Sequence, residues 1–279
     1  MLLSTASAAP TTVELRDACQ AGDAAACYQA GVTYLAGDGV MRDLAFGMRY
    51  IRRSCELKDP SGCAALGHAY RSGDGADLDY AKAVELLIFA CEHHAARACN
   101  ELGDMFTIGE GVPIDASGAY LYYDQACGGG VGLGCYRAGV HHALGYGAEL
   151  VDLGEADRLY TRACTLGEGL GCTARALLID AGPREQRDEA QIRSLLQHGC
   201  ELGDGEGCWR LGDRCLKGTH GPRDVEAGNR WLRLSCEAKS PAGCRELGER
   251  LEGDAAQAAF ERGCEGGDAV SCRRSRRGP

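Results

Sequence analysis

The sequence lacks the long apolar runs that membrane-spanning helices need. No stretch of its 279 residues approaches 18 consecutive apolar side chains, so we expect no membrane span. An excess of positive charge is also missing, because the formal net charge is −10. That balance argues against a nucleic-acid phosphate backbone as the principal partner. Neither G-x-G-x-x-G nor G-x-x-x-x-G-K-[ST] occurs, which excludes the usual phosphate-binding loops.

Cysteine, by contrast, is abundant and regularly spaced. Sixteen of the 17 cysteines form eight pairs whose members are eight positions apart, and successive first cysteines are 36, 36, 36, 37, 36, 36 and 28 residues apart. A period in this range is typical of a repeat array in which each unit packs only on its neighbours. The pairs are Cys19/Cys27, Cys55/Cys63, Cys91/Cys99, Cys127/Cys135, Cys164/Cys172, Cys200/Cys208, Cys236/Cys244 and Cys264/Cys272.

The spacing within a pair indicates a change of chain direction. In one continuous helix the two Cα atoms would lie roughly 12 Å apart, whereas a disulfide allows about 7 Å at most. The intervening residues are rich in Gly, Asp, Pro and Ser, which end one helix and begin another. Disulfides that join consecutive helices, and hence an oxidising compartment, are the favoured interpretation. A structural zinc site fits this spacing poorly, and reduced, buried cysteines remain an alternative.

Two helices can be traced in each unit. After the second cysteine, apolar or small residues recur at positions three, four and seven, which predicts a first helix. A segment such as Gly37-Asp38-Gly39 follows as a turn, and a second amphipathic helix ends at the next first cysteine. Position four is usually glycine, which suits close packing of a second backbone. The unpaired Cys215 falls at position seven, so we expect a buried, inert thiol.

The units vary toward the C-terminus. An extra residue in the fourth unit is expected in its loop, and the seventh is shortened by eight residues between Glu252 and Ala255. We expect residues 1–12 to be a disordered leader or the remnant of an export signal, residues 13–272 to form the array, and residues 273–279 to be a basic disordered tail.

With this register in place, the segments 98–103 (ACNELG), 110–112 (EGV) and 125–127 (QAC) resemble the Sel-1-like repeat, a relative of the tetratricopeptide repeat. A cysteine pair in every unit makes the chain similar to the Helicobacter cysteine-rich protein subfamily. The resemblance implies an all-α, right-handed α/α solenoid of about seven 36-residue helix pairs, with a concave face lined mainly by first helices.

Family members include secreted bacterial proteins for which penicillin binding and weak β-lactamase activity have been claimed. A eukaryotic branch assists respiratory-chain assembly. Serine β-lactamase chemistry uses Ser-x-x-Lys with Ser-Asp-Asn and Lys-Thr-Gly, and none of these occurs here. The favoured function is therefore a secreted or periplasmic, monomeric scaffold for a protein or peptide, without a catalytic residue, metal or cofactor. Binding of β-lactam or peptidoglycan fragments, with weak hydrolysis, is the alternative. A redox or metal-handling role is a third hypothesis.

The ligand is expected to bind in the concave groove. Positions one and five after the second cysteine lie off the core stripe of the first helix, and exposed aromatic residues there are typical of interface anchors. Acidic residues among them, together with the net charge, suggest a partner with a basic segment. The candidate residues are Tyr28, Val32, Asn100, Asp104, Tyr136, Val140, Trp209, Asp213, Arg245 and Glu249.

Overall fold

The structure, a computed structural model, describes residues 10–147, 150–219 and 221–276. Within these ranges the chain forms 16 α-helices and one 3₁₀ turn and contains no strand, which confirms the expected all-α solenoid of helix pairs. Even-numbered helices are the first helices of the repeats and odd-numbered helices the second helices. The helices are α1 (Thr12–Gln20), α2 (Ala24–Ala36), α3 (Leu44–Glu56), α4 (Pro60–Ser72), α5 (Tyr80–Glu92), α6 (Ala96–Ile108), α7 (Ala116–Gly128), α8 (Gly132–Leu144), α9 (Leu153–Thr165), α10 (Gly169–Ala181), α11 (Glu189–Glu201), α12 (Gly205–Lys217), α13 (Val225–Glu237), α14 (Pro241–Gly248), α15 (Gly253–Glu265) and α16 (Ala269–Ser275).

The chain divides into two compact units, Met1–Gly130 and Val131–Pro279. The first unit contains α1–α7 and the second contains α8–α16. Inside each unit every helix packs on the next one along the chain, and each first helix also contacts the following first helix. Neighbour-to-neighbour packing of this kind is what a repeat array requires.

Aspartate and glycine set the ends of the helices. The second helices α3 to α13 each begin at an aspartate N-cap, whose carboxylate accepts a hydrogen bond from a backbone N–H of the first turn. Five first helices end at a glycine with φ between 67° and 89°. The glycine-rich segments are therefore turns between helices, as expected. The C-terminal glycines are Gly37, Gly73, Gly109, Gly145 and Gly218.

The small residue at position four makes room for a large side chain of the second helix. A Cβ atom placed on Gly31 would lie 2.7 Å from Cδ1 of Ile51, and one placed on Gly103 would lie 2.4 Å from Cε1 of Tyr123. The expected approach of a second backbone is present too, because the same atom on Gly31 would lie 3.1 Å from the carbonyl oxygen of Gly47. Ile51 and Tyr123 are buried, so the core lies between the two helices of each repeat.

Within each unit, disulfides join second helices to the first helices that follow them, as the spacing predicts. Seven pairs have Cα–Cα distances of 4.4 to 4.9 Å, and Cys127 and Cys135 are disulfide-bonded too. Cys215 carries a free thiol and is buried, which confirms its expected place in the core. Burial raises the pKa of this thiol and disfavours the reactive thiolate.

The second cysteines of most of the predicted disulfide pairs are buried. Each of these lies one turn into a first helix. Cys27 and Cys244 expose none of their surface and Cys99 exposes 1%. These residues therefore belong to the core of the repeats. The second cysteines that expose 2% or less are Cys27, Cys63, Cys99, Cys135, Cys172, Cys208 and Cys244.

The shortened seventh repeat requires a correction. The missing residues were expected from the loop, but α14 ends at Gly248 and has only eight residues, whereas the other complete first helices have 13. The deletion therefore removes the end of the first helix as well as part of the loop, which covers residues 249–252 here and residues 37–43 between α2 and α3. Leu251 lies beyond α14 and still packs against the apolar cluster that includes Leu247.

Several expectations about the ends and loops fall partly outside the described residues. Residues 1–9 of the expected leader, residues 277–279 of the expected tail and residues 148–149 of the fourth loop are among them. Within the described part of the tail, α16 extends to Ser275, three residues beyond Cys272. Among the helices described, none is long and apolar enough to cross a membrane.

Candidate functional site

Positions one and five after the second cysteine lie on the first helices, and we call this set of positions the first-helix surface. Its members differ in exposure. Val32 exposes 40% of its surface and Glu249 is exposed, whereas Asn100 exposes only 8% and is buried. Asn100 is therefore not open to a ligand in this structure. The other residues named from the sequence are half-buried: Tyr28, Asp104, Tyr136, Val140, Trp209, Asp213 and Arg245.

In the first unit, ion pairs tie neighbouring first helices together. Arg71 of α4 donates from Nε to Glu110 at 2.8 Å, and its Nη1 lies 3.8 Å from Asp104 of α6. Asp104 also accepts a hydrogen bond from the hydroxyl of Tyr123 at 2.8 Å. Asp104 is thus already engaged with a cation and a hydroxyl, which reduces the negative charge that it offers to a ligand.

In the second unit, Tyr136 packs on the second helix. Its ring centroid lies 6.0 Å from that of Tyr160, which fills the space left by Gly139. Burial raises the pKa of Tyr136, and it raises the pKa of Tyr160 to about 12. Both phenol groups therefore stay protonated near neutral pH. The ring of Tyr136 also contributes to the packing of its own repeat.

A cleft of about 220 Å³ lies between α10 and α12 in the second unit. Its walls combine apolar and charged side chains, which is the usual composition of a peptide-binding surface. Trp209 is held in place because its indole Nε1 donates to Glu246 of α14 at 2.8 Å. The guanidinium of Arg210 lies over the same ring, 5.3 Å from its centroid. The lining includes Leu177, Asp180, Trp209, Asp213, Arg214 and Lys217.

The charged residues of this cleft are paired with one another. Arg214 bonds Asp180 at 2.6 Å and Glu189 at 2.9 Å, so a single guanidinium links α12 to α10 and α11. Lys217 lies 2.7 Å from Asp213 one turn earlier in α12. The cleft therefore presents ion pairs around an apolar centre formed by Leu177 and Trp209, with no strong excess of either sign among these four charged residues and Glu189.

The last candidate residues are paired as well. Arg245 of α14 lies 3.0 Å from Asp268, and Glu249 lies 4.0 Å from Arg274 in α16. The three acidic residues that suggested a basic partner thus each have a basic side chain nearby. Their local charge is smaller than the sequence alone implies.

Leu177 was not among the binding residues predicted from the sequence, although it occupies position five after Cys172. The corresponding position-one residue, Thr173, is buried and exposes 3% of its surface. The repeat register alone therefore predicts that Leu177 lies on the first-helix surface. The ion pair between Asp180 and Arg214 could not be predicted in this way, because the two residues are 34 positions apart and belong to different repeats.

One group of potential metal-binding side chains occurs among the described residues. The sulfur atoms of Cys164 and Cys172 and a ring nitrogen of His198 all lie within 4.8 Å of one another. Two sulfurs and an imidazole suit a soft metal ion. Here, however, the two sulfurs are bonded to each other, so neither is a thiolate ligand.

The Sel1 repeat family matches residues 24–59, 60–94, 96–131, 132–168 and 205–240, which is more than half of the chain. The chain belongs to this family. Its Sel1 repeats explain the recurrent helix pair and the glycine at position four. No curated protein matches the chain.

Solved structures show the same fold. A protective antigen of uropathogenic Escherichia coli with an SLR fold is 25% identical, with a TM-score of 0.71 over 94% of this chain and 58% of that one. This chain thus spans less than two thirds of that antigen. A Sel1 repeat protein from Oxalobacter formigenes is 20% identical, with a TM-score of 0.74 over 82% and 100% of the two chains.

An immunity protein from Pseudomonas aeruginosa is more distant. It is 14% identical, with a TM-score of 0.53 over 74% of this chain and 81% of that one, and it shows the fold alone. The family and the structural relatives are repeat proteins of the kind that commonly bind other proteins. They give no support to the β-lactamase activity that the resemblance implied, and the narrower cysteine-rich subfamily is not among the matches.

Proposed function

We propose that this Sel1 repeat protein is a disulfide-stabilised scaffold, secreted or periplasmic, that binds a protein or peptide segment on its first-helix surface. The α10–α12 cleft is the observation that carries the proposal. Leu177 and a half-buried Trp209 form an apolar centre there, surrounded by ion pairs. An apolar centre within a polar rim is the arrangement at which a few anchoring side chains provide most of the binding energy.

The disulfides support the location. Sixteen cysteines are bonded, and such bonds persist in compartments that do not keep thiols reduced. Bonded pairs at the repeat junctions inside both units also support a place in the Helicobacter cysteine-rich protein subfamily. The charged residues of the cleft nearly balance one another, so they attract a partner little by themselves. The net charge of −10 instead produces a negative potential around the whole protein, which raises the rate of association with a partner that carries a basic segment.

Site-specific photo-crosslinking tests the binding surface. A photo-reactive amino acid replaces Leu177 in the cleft or, as a matched control, the exposed Arg233 of the second helix α13. In the native host, we expect the variant at position 177 to capture a partner that the variant at position 233 does not. The captured protein, identified by mass spectrometry, then serves as the ligand for affinity measurements.

With that ligand, Trp209→Ala should weaken binding by about tenfold or more, because a truncated aromatic anchor typically costs this much. Trp231→Phe, on the second helix α13, is the control and should leave affinity unchanged. Unchanged affinity in Trp209→Ala would place binding elsewhere. If the partner carries the expected basic segment, the association rate constant should also fall between low and physiological salt.

Thiol counting tests the compartment. Protein taken from its native host under acid quench and alkylated in denaturant without reductant should carry one label, at the free Cys215. The sixteen bonded cysteines should be blocked. Labelling of most cysteines would contradict the oxidising compartment and leave the binding surface as a separate question.

A further inference from the structure

The imidazole of His198 lies beside the Cys164–Cys172 disulfide. A ring nitrogen and both sulfurs are within 4.8 Å of one another. The side chain of His198 is 52% exposed, Cys164 exposes 8% of its surface and Cys172 none. A solvent-facing imidazole therefore stands next to a disulfide of which Cys164 is the less deeply buried residue.

This placement follows from the repeat and recurs elsewhere. His198 is the second residue before Cys200, the first cysteine of the next pair. In the first unit the equivalent residue, Gln125, has its Oε1 3.3 Å from Sγ of Cys91. In these two repeats the residue two positions before a first cysteine lies beside the preceding disulfide, and its identity decides the chemistry beside that bond.

We propose that Cys164–Cys172 is a thiol–disulfide exchange site at which His198 supplies and recovers the proton. An external thiolate attacks Sγ of Cys164, the less deeply buried of the two residues. The bond between the two cysteines breaks, a new bond joins Cys164 to the attacking sulfur, and Cys172 leaves as a thiolate that takes a proton from the imidazolium.

A dithiol reductant completes the reaction. Its second thiol loses a proton to the neutral imidazole and attacks its own sulfur in the mixed disulfide. Cys164 is released as a thiolate, which the solvent protonates. The dithiol becomes a disulfide and the protein gains two electrons and two protons. The reverse sequence, with a disulfide as oxidant, closes the bond again.

Histidine suits this role because an imidazole exchanges protons near neutral pH, and a leaving thiolate that is stabilised by a nearby cation departs faster. The carboxylate of Glu201 lies 3.9 Å from Nδ1 of His198. In the following repeat the equivalent residue is Leu234, which is exposed and carries no proton. The Cys200–Cys208 pair is thus an internal reference that lacks the proton carrier.

A timed reduction of the folded, oxidised protein tests the proposal. Dithiothreitol is added near neutral pH, the reaction is quenched in acid at intervals, and free thiols are alkylated. Peptide mass spectrometry then reports the cleavage rate of each pair. Compared with the parent protein, His198→Leu should slow cleavage of Cys164–Cys172 by about threefold or more, in keeping with the dependence of exchange on the leaving thiol.

The converse variant guards against a general effect on folding. Leu234→His should speed cleavage of Cys200–Cys208 while leaving Cys164–Cys172 unchanged. Unequal effects at the two pairs, following the histidine, support the proposal. Unchanged rates at Cys164–Cys172 in His198→Leu overturn it. Equal slowing or speeding of every pair also overturns it, because that result shows altered global opening and no local proton transfer.

Discussion

Two repeats of this chain share a scaffold although only one of them matches the family pattern. Residues 60–94 match the Sel1 repeat, and residues 169–204 do not. Both nevertheless contain two 13-residue helices, with an aspartate at the start of the second helix and a disulfide at each end. Their cores agree as well, because a small residue in the first helix faces a buried leucine in the second.

The differences lie in the turn and on the surface. Helix α4 ends at Gly73 with φ of 78°, whereas α10 ends at Gly182 with φ of −68° and continues into Pro183 and a 3₁₀ turn. At the surface, position five is His68 in one repeat and the cleft residue Leu177 in the other. The buried packing positions therefore define the repeat, whereas the turn and the exposed positions can differ between repeats and can take part in binding.

The largest test concerns the shared core. Leu87→Ala and Leu196→Ala should each lower the free energy of unfolding by about 2–5 kcal/mol, because both side chains are almost fully buried and their removal leaves a cavity. Urea unfolding followed by circular dichroism measures this change. Leu121→Ala, at a side chain that is 66% exposed, is the control and should change little. A loss below about 1 kcal/mol for Leu196→Ala would mean that the unmatched repeat has a different core.

The second test concerns the disulfides. Removing Cys55–Cys63 or Cys164–Cys172 by paired alanine substitutions should lower stability by about 2.5 kcal/mol each, since each bond closes a nine-residue loop in the unfolded chain. Similar midpoint shifts in urea would confirm that both repeats use the bond in the same way. A much smaller shift for Cys164–Cys172 would indicate that this bond serves exchange more than stability.

The smallest test separates the two turns. Gly73→Ala should cost about 1 kcal/mol, because a residue with a Cβ atom is strained at φ of 78°. Gly182→Ala should lie within about 0.5 kcal/mol of the parent, since its φ of −68° suits any residue. Equal costs at the two positions would show that the unmatched turn needs its glycine for another reason. Thermal unfolding of the two variants gives the comparison.

Most of the fold could be predicted from the sequence, because its strongest signals are local. A disulfide between Cys55 and Cys63, which are eight positions apart, requires a reversal of the chain, and the structure contains one. The glycine register placed the core between the helices of each repeat, as seen at Gly31 and Ile51. The free, buried Cys215 followed from the same register.

The surface was harder to predict, because its interactions join different repeats. Arg71 and Glu110 are 39 positions apart, and no pattern within one repeat indicates that they pair. The burial of Asn100, which exposes 8% of its surface, was not predicted either. The shortening of α14 was also missed, because a deletion in a sequence does not reveal whether a loop or a helix end has been removed.

The local closure of every disulfide has a mechanical consequence. A fully stretched 36-residue repeat is roughly 120 Å long. An oxidised pair holds eight Cα–Cα steps within 4.4 to 4.9 Å, which shortens the stretched chain by about 22 Å. Pulled from its ends, the oxidised chain would therefore lengthen in steps shorter than those of the reduced chain. Every bond that a reductant opens would add its slack at one identifiable repeat junction.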